Sequence, residues 1–194
     1  SPHSDPRTPR AATRSQVYRA RLAQVLHRDV KPSNILLDAR GRALLADVGL
    51  AKVAHTAGAT HMTTQSMQGT PAFIDPLYLR TLRQSELTDG YGAGISLLMA
   101  FTALPSQDLI DDCRHMLKHP DRPERWRVPG VPDAAAGEWP VAVAVAVAEM
   151  VAGLKDEYKE DRMPLAEALR RLEAIVEAAA EPEPAAGAPR RACR

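Results

Sequence analysis

The residues best suited to chemistry fall in two short runs. His27-Arg28-Asp29-Val30-Lys31-Pro32-Ser33-Asn34 gathers a carboxylate, a carboxamide and two cationic side chains within eight positions. Eighteen residues after Asp29 stands Asp47, in Ala46-Asp47-Val48-Gly49-Leu50-Ala51. Between the runs lie Ile35-Leu36-Leu37 and Ala43 to Ala46, two short apolar segments joined by Asp38-Ala39-Arg40-Gly41, which has turn chemistry. The pattern predicts a small hairpin that carries polar groups on loops at its ends. A metal-assisted transfer of a phosphoryl group needs such a set. One carboxylate orients an attacking hydroxyl, while a second carboxylate and a carboxamide offer oxygen to hard Mg²⁺. A lysine offsets charge on the group in transit.

The elements that must position these groups are mainly helical. From Ser15 a helix is expected, with Leu22, Val25 and Leu26 on one face. Val53 to Thr70 reads as a long loop rich in Thr and Ser. A helix capped by Thr88 or Asp89 runs through Ile95, Leu98 and Met99 to about Ala103. Its Gly90, Gly92 and Gly94 cost helix propensity, so close packing must compensate. Asp108 to Leu117 is a further helix. Trp139 to Leu154 alternates Val and Ala like a strand, yet its length and alanine content favour a buried helix. Pro164 to Ala180 is a helix with a stripe of Leu165, Ala168, Leu169, Leu172, Val176 and Ala179. Residues 1–14 are expected to be a disordered leader and 181–194 a disordered tail, leaving one folded unit over 15–180.

Composition narrows the class of function. The 194 residues carry 25 basic and 24 acidic side chains, for a formal charge of +1. That balance gives no reason to expect nucleic acid or an acidic membrane surface as a partner. Cys113 and Cys193 are the only cysteines, one in an expected helix and the other in the last two residues, so neither a disulfide framework nor a metal knuckle is suggested. A reducing, cytoplasmic setting is the expectation. The longest apolar run, Pro140 to Ala148, is about half of the ~18 residues a membrane span requires, so no membrane contact is expected.

The two chemical runs resemble the catalytic loop and the Asp-Phe-Gly motif of serine/threonine protein kinases. Lysine two positions after the aspartate is the serine/threonine form of that loop. Further landmarks recur in order. Gly69-Thr70-Pro71-Ala72-Phe73-Ile74-Asp75-Pro76 resembles the end of an activation segment, most closely that of plant receptor-like and Pelle-type kinases. Asp89-Gly90-Tyr91-Gly92-Ala93-Gly94-Ile95 resembles the start of the central buried helix, whose aspartate ties down the catalytic loop. Arg162 resembles the arginine that pairs with the activation-segment glutamate. The resemblance implies ATP and Mg²⁺ as cofactors and a protein as substrate. It makes Asp29 the catalytic base, Lys31 the γ-phosphate contact, and Asn34 with Asp47 the metal ligands. Ser33 and Leu36 then line the nucleotide pocket, and the hydroxyl of Thr70 is structural, bonded to the base and the lysine.

Three departures accompany the resemblance. Only 26 residues precede His27, and they hold no Gly-rich loop, so a mainly α, kinase-like C-terminal lobe is expected with the N-terminal lobe absent. An N-lobe or receptor portion could stand upstream. Val48 replaces the phenylalanine of the metal-binding motif. Leu77 stands where a glutamate is expected, which leaves Arg162 in need of another acceptor or of solvent. Two functions follow: a partial serine/threonine kinase inactive in isolation, or a kinase-derived scaffold without chemistry. Retention of Asp29, Lys31, Asn34 and Asp47 favours the first. Arg28 beside Asp29 also suggests an activation loop ordered by phosphate, with Thr63, Thr64 or Ser66 as acceptor and Thr64 foremost.

Overall fold

A computed structural model describes residues 25–53, 61–126 and 139–180, with 132, 133, 135 and 137 between the last two stretches. The expected leader, most of the first helix and the tail lie outside the described residues. Val25 and Leu26, expected on a helix face, instead form strand β1 (Val25–Leu26), which pairs antiparallel with β4 (Lys52–Val53). Beta-branched Val25 and Val53 face each other in that register, and the pair ties the start of the catalytic run to the end of the Asp47 run.

The hairpin forms as the pattern predicts. Strands β2 (Ile35–Leu37) and β3 (Ala43–Leu45) pair with Ile35 opposite Leu45 and Leu37 opposite Ala43. Asp38 closes the turn by accepting from the backbone N–H groups of Arg40 and Arg42, at 2.8 and 2.9 Å. Most of the hairpin's leucines point to solvent. Leu36, Leu37, Leu44 and Leu45 are each about half exposed or more.

Helices form the body. Short α1 (Pro76–Thr81) leads to α2 (Glu86–Thr102), which is followed by α3 (Leu109–Asp112), α4 (Arg114–Lys118), α5 (Val141–Leu154) and α6 (Leu165–Ala180). Helix α2 starts earlier than expected, because Ser85 caps it. The Thr88 hydroxyl accepts from the Ser85 N–H at 3.1 Å and donates to its carbonyl at 2.7 Å. Two of its glycines are explained by close approach. A Cβ on Gly92 would sit 2.7 Å from the Val30 carbonyl oxygen, and one on Gly94 would sit 3.0 Å from the Leu154 Cβ. The absent side chains let α2 press against the catalytic loop on one side and α5 on the other.

The core joins α2, α5 and the α3–α4 corner: Ile95, Leu98, Phe101, Leu109, Cys113, Met116, Ala148 and Val151 are all almost fully buried. Phe101 meets Trp126 and Trp139 edge to face, with centroids 6.1 and 5.2 Å apart. The Val/Ala alternation of α5 is helical, and it buries Ala144, Val147, Ala148 and Val151. The single helix expected over Asp108 to Leu117 is broken at Cys113 into α3 and α4. On α6 the expected stripe splits. Ala168 packs toward α5, joined by Ile175 from outside the stripe, while Leu169 and Val176 are more than half exposed, because α5 reaches only one side of the apolar arc.

Candidate active site

The catalytic run is hung from α2 by one carboxylate. Asp89, buried in the first turns of α2, accepts from the His27 N–H at 2.7 Å and the Arg28 N–H at 2.8 Å. Burial raises the Asp89 pKa, and the two backbone hydrogen bonds act in the opposite direction. They let Arg28 hold a left-handed backbone at φ 71°, unusual for a residue with a side chain, just before Asp29. The His27 ring adds a second tie, with Nε2 and the Ala46 carbonyl oxygen 2.9 Å apart just before Asp47.

Asp29, Lys31, Asn34 and Thr70 form one closed network. Lys31 Nζ lies 2.7 Å from Asp29 Oδ2 and donates to Thr70 Oγ1 at 2.7 Å. Thr70 in turn gives its hydroxyl and its backbone N–H to Asp29 Oδ1, at 2.8 and 3.0 Å. Asn34 Nδ2 donates to the Asp29 carbonyl at 2.9 Å. Burial alone would raise the Asp29 pKa; hydrogen bonds from Lys31 and Thr70, with the charge of Lys31, outweigh it and hold the carboxyl below the ordinary range. Asp29 is therefore ionised at neutral pH. Thr70 comes from the activation segment, so the network also seats that segment on the catalytic loop.

Asp47 stands apart from this network. It sits beyond β3 in a left-handed conformation at φ 58° and ψ 67°, exposed, and its carboxylate accepts from the Gly49 N–H at 3.3 Å. Among the described residues no hydrogen bond joins it to Asp29 or Asn34. Asn34 is linked to Asp47's end of the hairpin through backbone, the Ala46 N–H donating to the Asn34 carbonyl at 2.8 Å. Ser33 is exposed in the turn Pro32–Asn34, and Leu36 is 54% exposed on β2. Val48 is 69% exposed.

Arg162 finds the acceptor that Leu77 cannot supply. Its Nη1 lies 2.5 Å from Asp75 Oδ2, with both side chains almost wholly buried. Its remaining nitrogens donate to the Asp156 carbonyl, and its guanidinium lies over the Tyr91 ring at 5.6 Å. Asp75 also caps α1 by accepting from the Leu77 N–H at 2.8 Å. Sequence reasoning read Asp75 as part of a motif and assigned it no charge partner. The signal was there: a carboxylate before a proline at a helix start, two residues from the missing glutamate.

Thr64, expected as the first choice for phosphate, is 9% exposed, and its hydroxyl lies 3.0 Å from that of Tyr78. Thr63 and Ser66 are exposed. The Arg28 guanidinium donates to Gln68, Gln84 and the Leu50 carbonyl. Neither glutamine was singled out in the sequence, and no local pattern marks them.

Comparisons with known proteins identify the family. Residues 18–171 match the protein kinase domain family, and the chain belongs to that family. It is 47% identical over 81 residues to a probable LRR receptor-like serine/threonine-protein kinase of Arabidopsis thaliana, covering 42% of this chain and 9% of that protein. A putative leucine-rich repeat receptor-like serine/threonine-protein kinase of the same plant is 30% identical over 164 residues, covering 82% of this chain and 17% of the relative. A calmodulin-binding receptor-like cytoplasmic kinase 2 is 44% identical over 80 residues, covering 40% and 19%. The chain thus spans less than a fifth of the length of each of these relatives. Among the described residues no helix is long and apolar enough to cross a membrane.

Proposed function

We propose that this chain carries the catalytic half of a serine/threonine kinase that transfers a phosphoryl group from ATP to a protein hydroxyl, and that these 194 residues by themselves do not turn over. The observation that carries the reading is the closed Asp29–Lys31–Thr70 network on a loop hung from Asp89. A scaffold has no use for an ionised, largely covered carboxylate held beside a lysine and an activation-segment hydroxyl.

In this reading Asp29 orients the substrate hydroxyl and takes its proton, and Lys31 offsets charge on the group in transit. Mg²⁺ fits the donor set, and ATP is the nucleotide that the family membership implies. With Nδ2 of Asn34 committed to Asp29, its carboxamide oxygen and the exposed Asp47 carboxylate offer the hard oxygen ligands that Mg²⁺ takes. When bound, the metal would neutralise phosphate charge. Ser33 and Leu36 border the same rim and are assigned to the nucleotide. The proposed inactivity in isolation rests on the lack of any Gly-rich loop or lysine-bearing strand ahead of His27 in these residues. A cytoplasmic location goes with this reading, since ATP and reduced thiols are found there.

The test is phosphate transfer from radiolabelled ATP to a basic protein substrate, by the 194 residues alone and by the longest natural form of the protein. The long form is expected to be active, and Asp29→Asn or Asp47→Asn to abolish transfer with the fold intact. Near-normal turnover in either variant overturns the assigned roles. Transfer by the 194 residues that disappears in Asp29→Asn overturns the proposed inactivity in isolation.

A further inference from the structure

Arg28 is a cation buried to 6% exposure, and each acceptor of its guanidinium is neutral. Nε donates to Gln84 Oε1, Nη1 to the Leu50 carbonyl at 3.0 Å, and Nη2 to Gln68 Oε1 at 2.7 Å. The three acceptors belong to three separate pieces of chain. Leu50 ends the turn after Asp47, Gln68 lies two residues before Thr70, and Gln84 is on strand β6 (Arg83–Gln84). That strand pairs with β5 (Met62–Thr63), Gln84 opposite Met62. Gln84 is itself 2% exposed. Gln68 is fixed through its backbone, since its N–H donates to the Tyr78 hydroxyl at 3.2 Å. That hydroxyl lies 3.0 Å from Thr64 Oγ1 and donates to the Ser66 carbonyl at 3.2 Å. Tyr78 is 2% exposed, so the segment is gathered on a rigid point.

Space agrees with chemistry. The cavity bordered by Arg28, Gln68, Tyr78 and Gln84 is about 20 Å³, room for one water molecule. All three nitrogens of the guanidinium already donate to protein oxygens, so a phosphate bound through Nε and Nη2 would have to displace both glutamines. An Arg28 stripped of these oxygens would be a buried, unsatisfied cation, the costly case for a guanidinium. The compensating charge is already present beneath the loop in Asp89, which takes the Arg28 N–H.

We propose that Gln68 and Gln84 are positioning residues whose amide oxygens occupy Arg28 and so order the segment from His61 to Thr70 without a phosphate. Thr70 is the end of that segment and completes the Asp29–Lys31 network, so the clamp sets the site's readiness. That last step rests on the phosphotransfer reading; the clamp itself does not. Phosphate on exposed Thr63 or Ser66 then has no part in seating the segment, and Thr64 is shielded from modification.

The test is amide hydrogen exchange on the 194-residue chain, before and after phosphatase treatment, read at Thr64, Gln68 and Thr70. Each of these N–H groups is hydrogen-bonded in the structure. Protection is expected to be unchanged by phosphatase. Gln84→Leu, similar in size but without an acceptor, and Gln68→Ala should each speed exchange at these amides about tenfold or more, with α2 and α5 unaffected. Gln84→Glu restores the acceptor and should restore protection, with a loss on acidification at Thr64 and Gln68, whose N–H groups donate to neutral oxygens, that the wild type lacks. A merely space-filling Gln84 would not distinguish Leu from Glu. Protection that appears only with phosphate, or that survives both Gln84→Leu and Gln68→Ala, overturns the proposal. If Gln84→Leu unfolds the whole chain, Gln68→Ala and Gln84→Glu decide by the same criteria. Absent phosphate transfer in the long form, with the clamp intact, would sink the kinase reading and leave this one standing.

Discussion

The loop that carries Asp29 and the hairpin that carries Asp47 lie side by side but are held in opposite ways. The loop is backed by α2, with Asp89 binding its backbone, Gly92 admitting it to contact, and Arg28 and Lys31 pinning the activation segment across it. The hairpin is held by its own three-residue ladder and by the β1–β4 pair, with Leu37 71% and Val48 69% exposed. Position at Asp29 is therefore an outcome of packing against α2, and position at Asp47 an outcome of the hairpin's own ladder with ties to His27 and Arg28 at its ends. Four leucines of this short hairpin and Val48 just beyond it are about half exposed or more, Leu36 and Leu44 on one face and Leu37 and Leu45 on the other. In the kinase reading the nucleotide and whatever covers it complete this side of the site.

The comparison breaks most sharply at the activation segment's anchor. Asp75→Ala leaves Arg162 as an uncompensated buried cation, and is expected to cost about 3–5 kcal/mol in urea unfolding. Adding Leu77→Glu to that variant should recover part of the loss by returning a carboxylate two residues away. A cost below about 1 kcal/mol for Asp75→Ala would show that the pair is not an anchor.

Core and hairpin leucines should then separate. Leu98→Ala, in the wholly buried centre of α2, is expected to cost about 2–5 kcal/mol. Leu37→Ala or Leu44→Ala, on the exposed hairpin, should stay within about 0.5 kcal/mol in the same measurement. Equal costs would mean that the hairpin is packed in solution and that the contrast is wrong.

A smaller effect is expected from acid. The Asp29 pKa is held below its ordinary value by Lys31 and Thr70 against the opposing effect of burial. Its contribution to stability is thus full above the ordinary carboxylate range and is lost as pH falls through the lowered value. Asp29→Asn should flatten the stability curve below about pH 4 and leave its shape at neutral pH unchanged. A variant whose acid limb matches the wild type would place that ion pair in solvent.

The smallest signal is an absence of reaction. Burial pushes the Cys113 thiol up to about 11, with Asp112 adding to the shift. A disulfide reagent at pH 8 should leave Cys113 untouched for as long as the chain is folded and label it on adding urea. Rapid labelling without denaturant would show that the α2–α5 core opens readily.

The chemical residues were legible in the sequence because their spacing is set by short backbone paths. Asp29 to Asn34 share one loop, and Asp47 follows across a hairpin whose turn is written in Asp38 and Gly41. The helices over Glu86–Thr102, Val141–Leu154 and Leu165–Ala180 were legible for a similar reason, as long runs of apolar residues read against caps. Only the tertiary structure decided which charges meet. Arg162 reaches Asp75 across 87 positions, and Arg28 reaches Gln84 across 56. Such pairs leave no periodic or local trace in a chain. It also decided which side of α6 is buried, since the apolar arc there is wider than its contact with α5. Helical period prescribes that a face is apolar, and the neighbour's reach determines how much of it is covered.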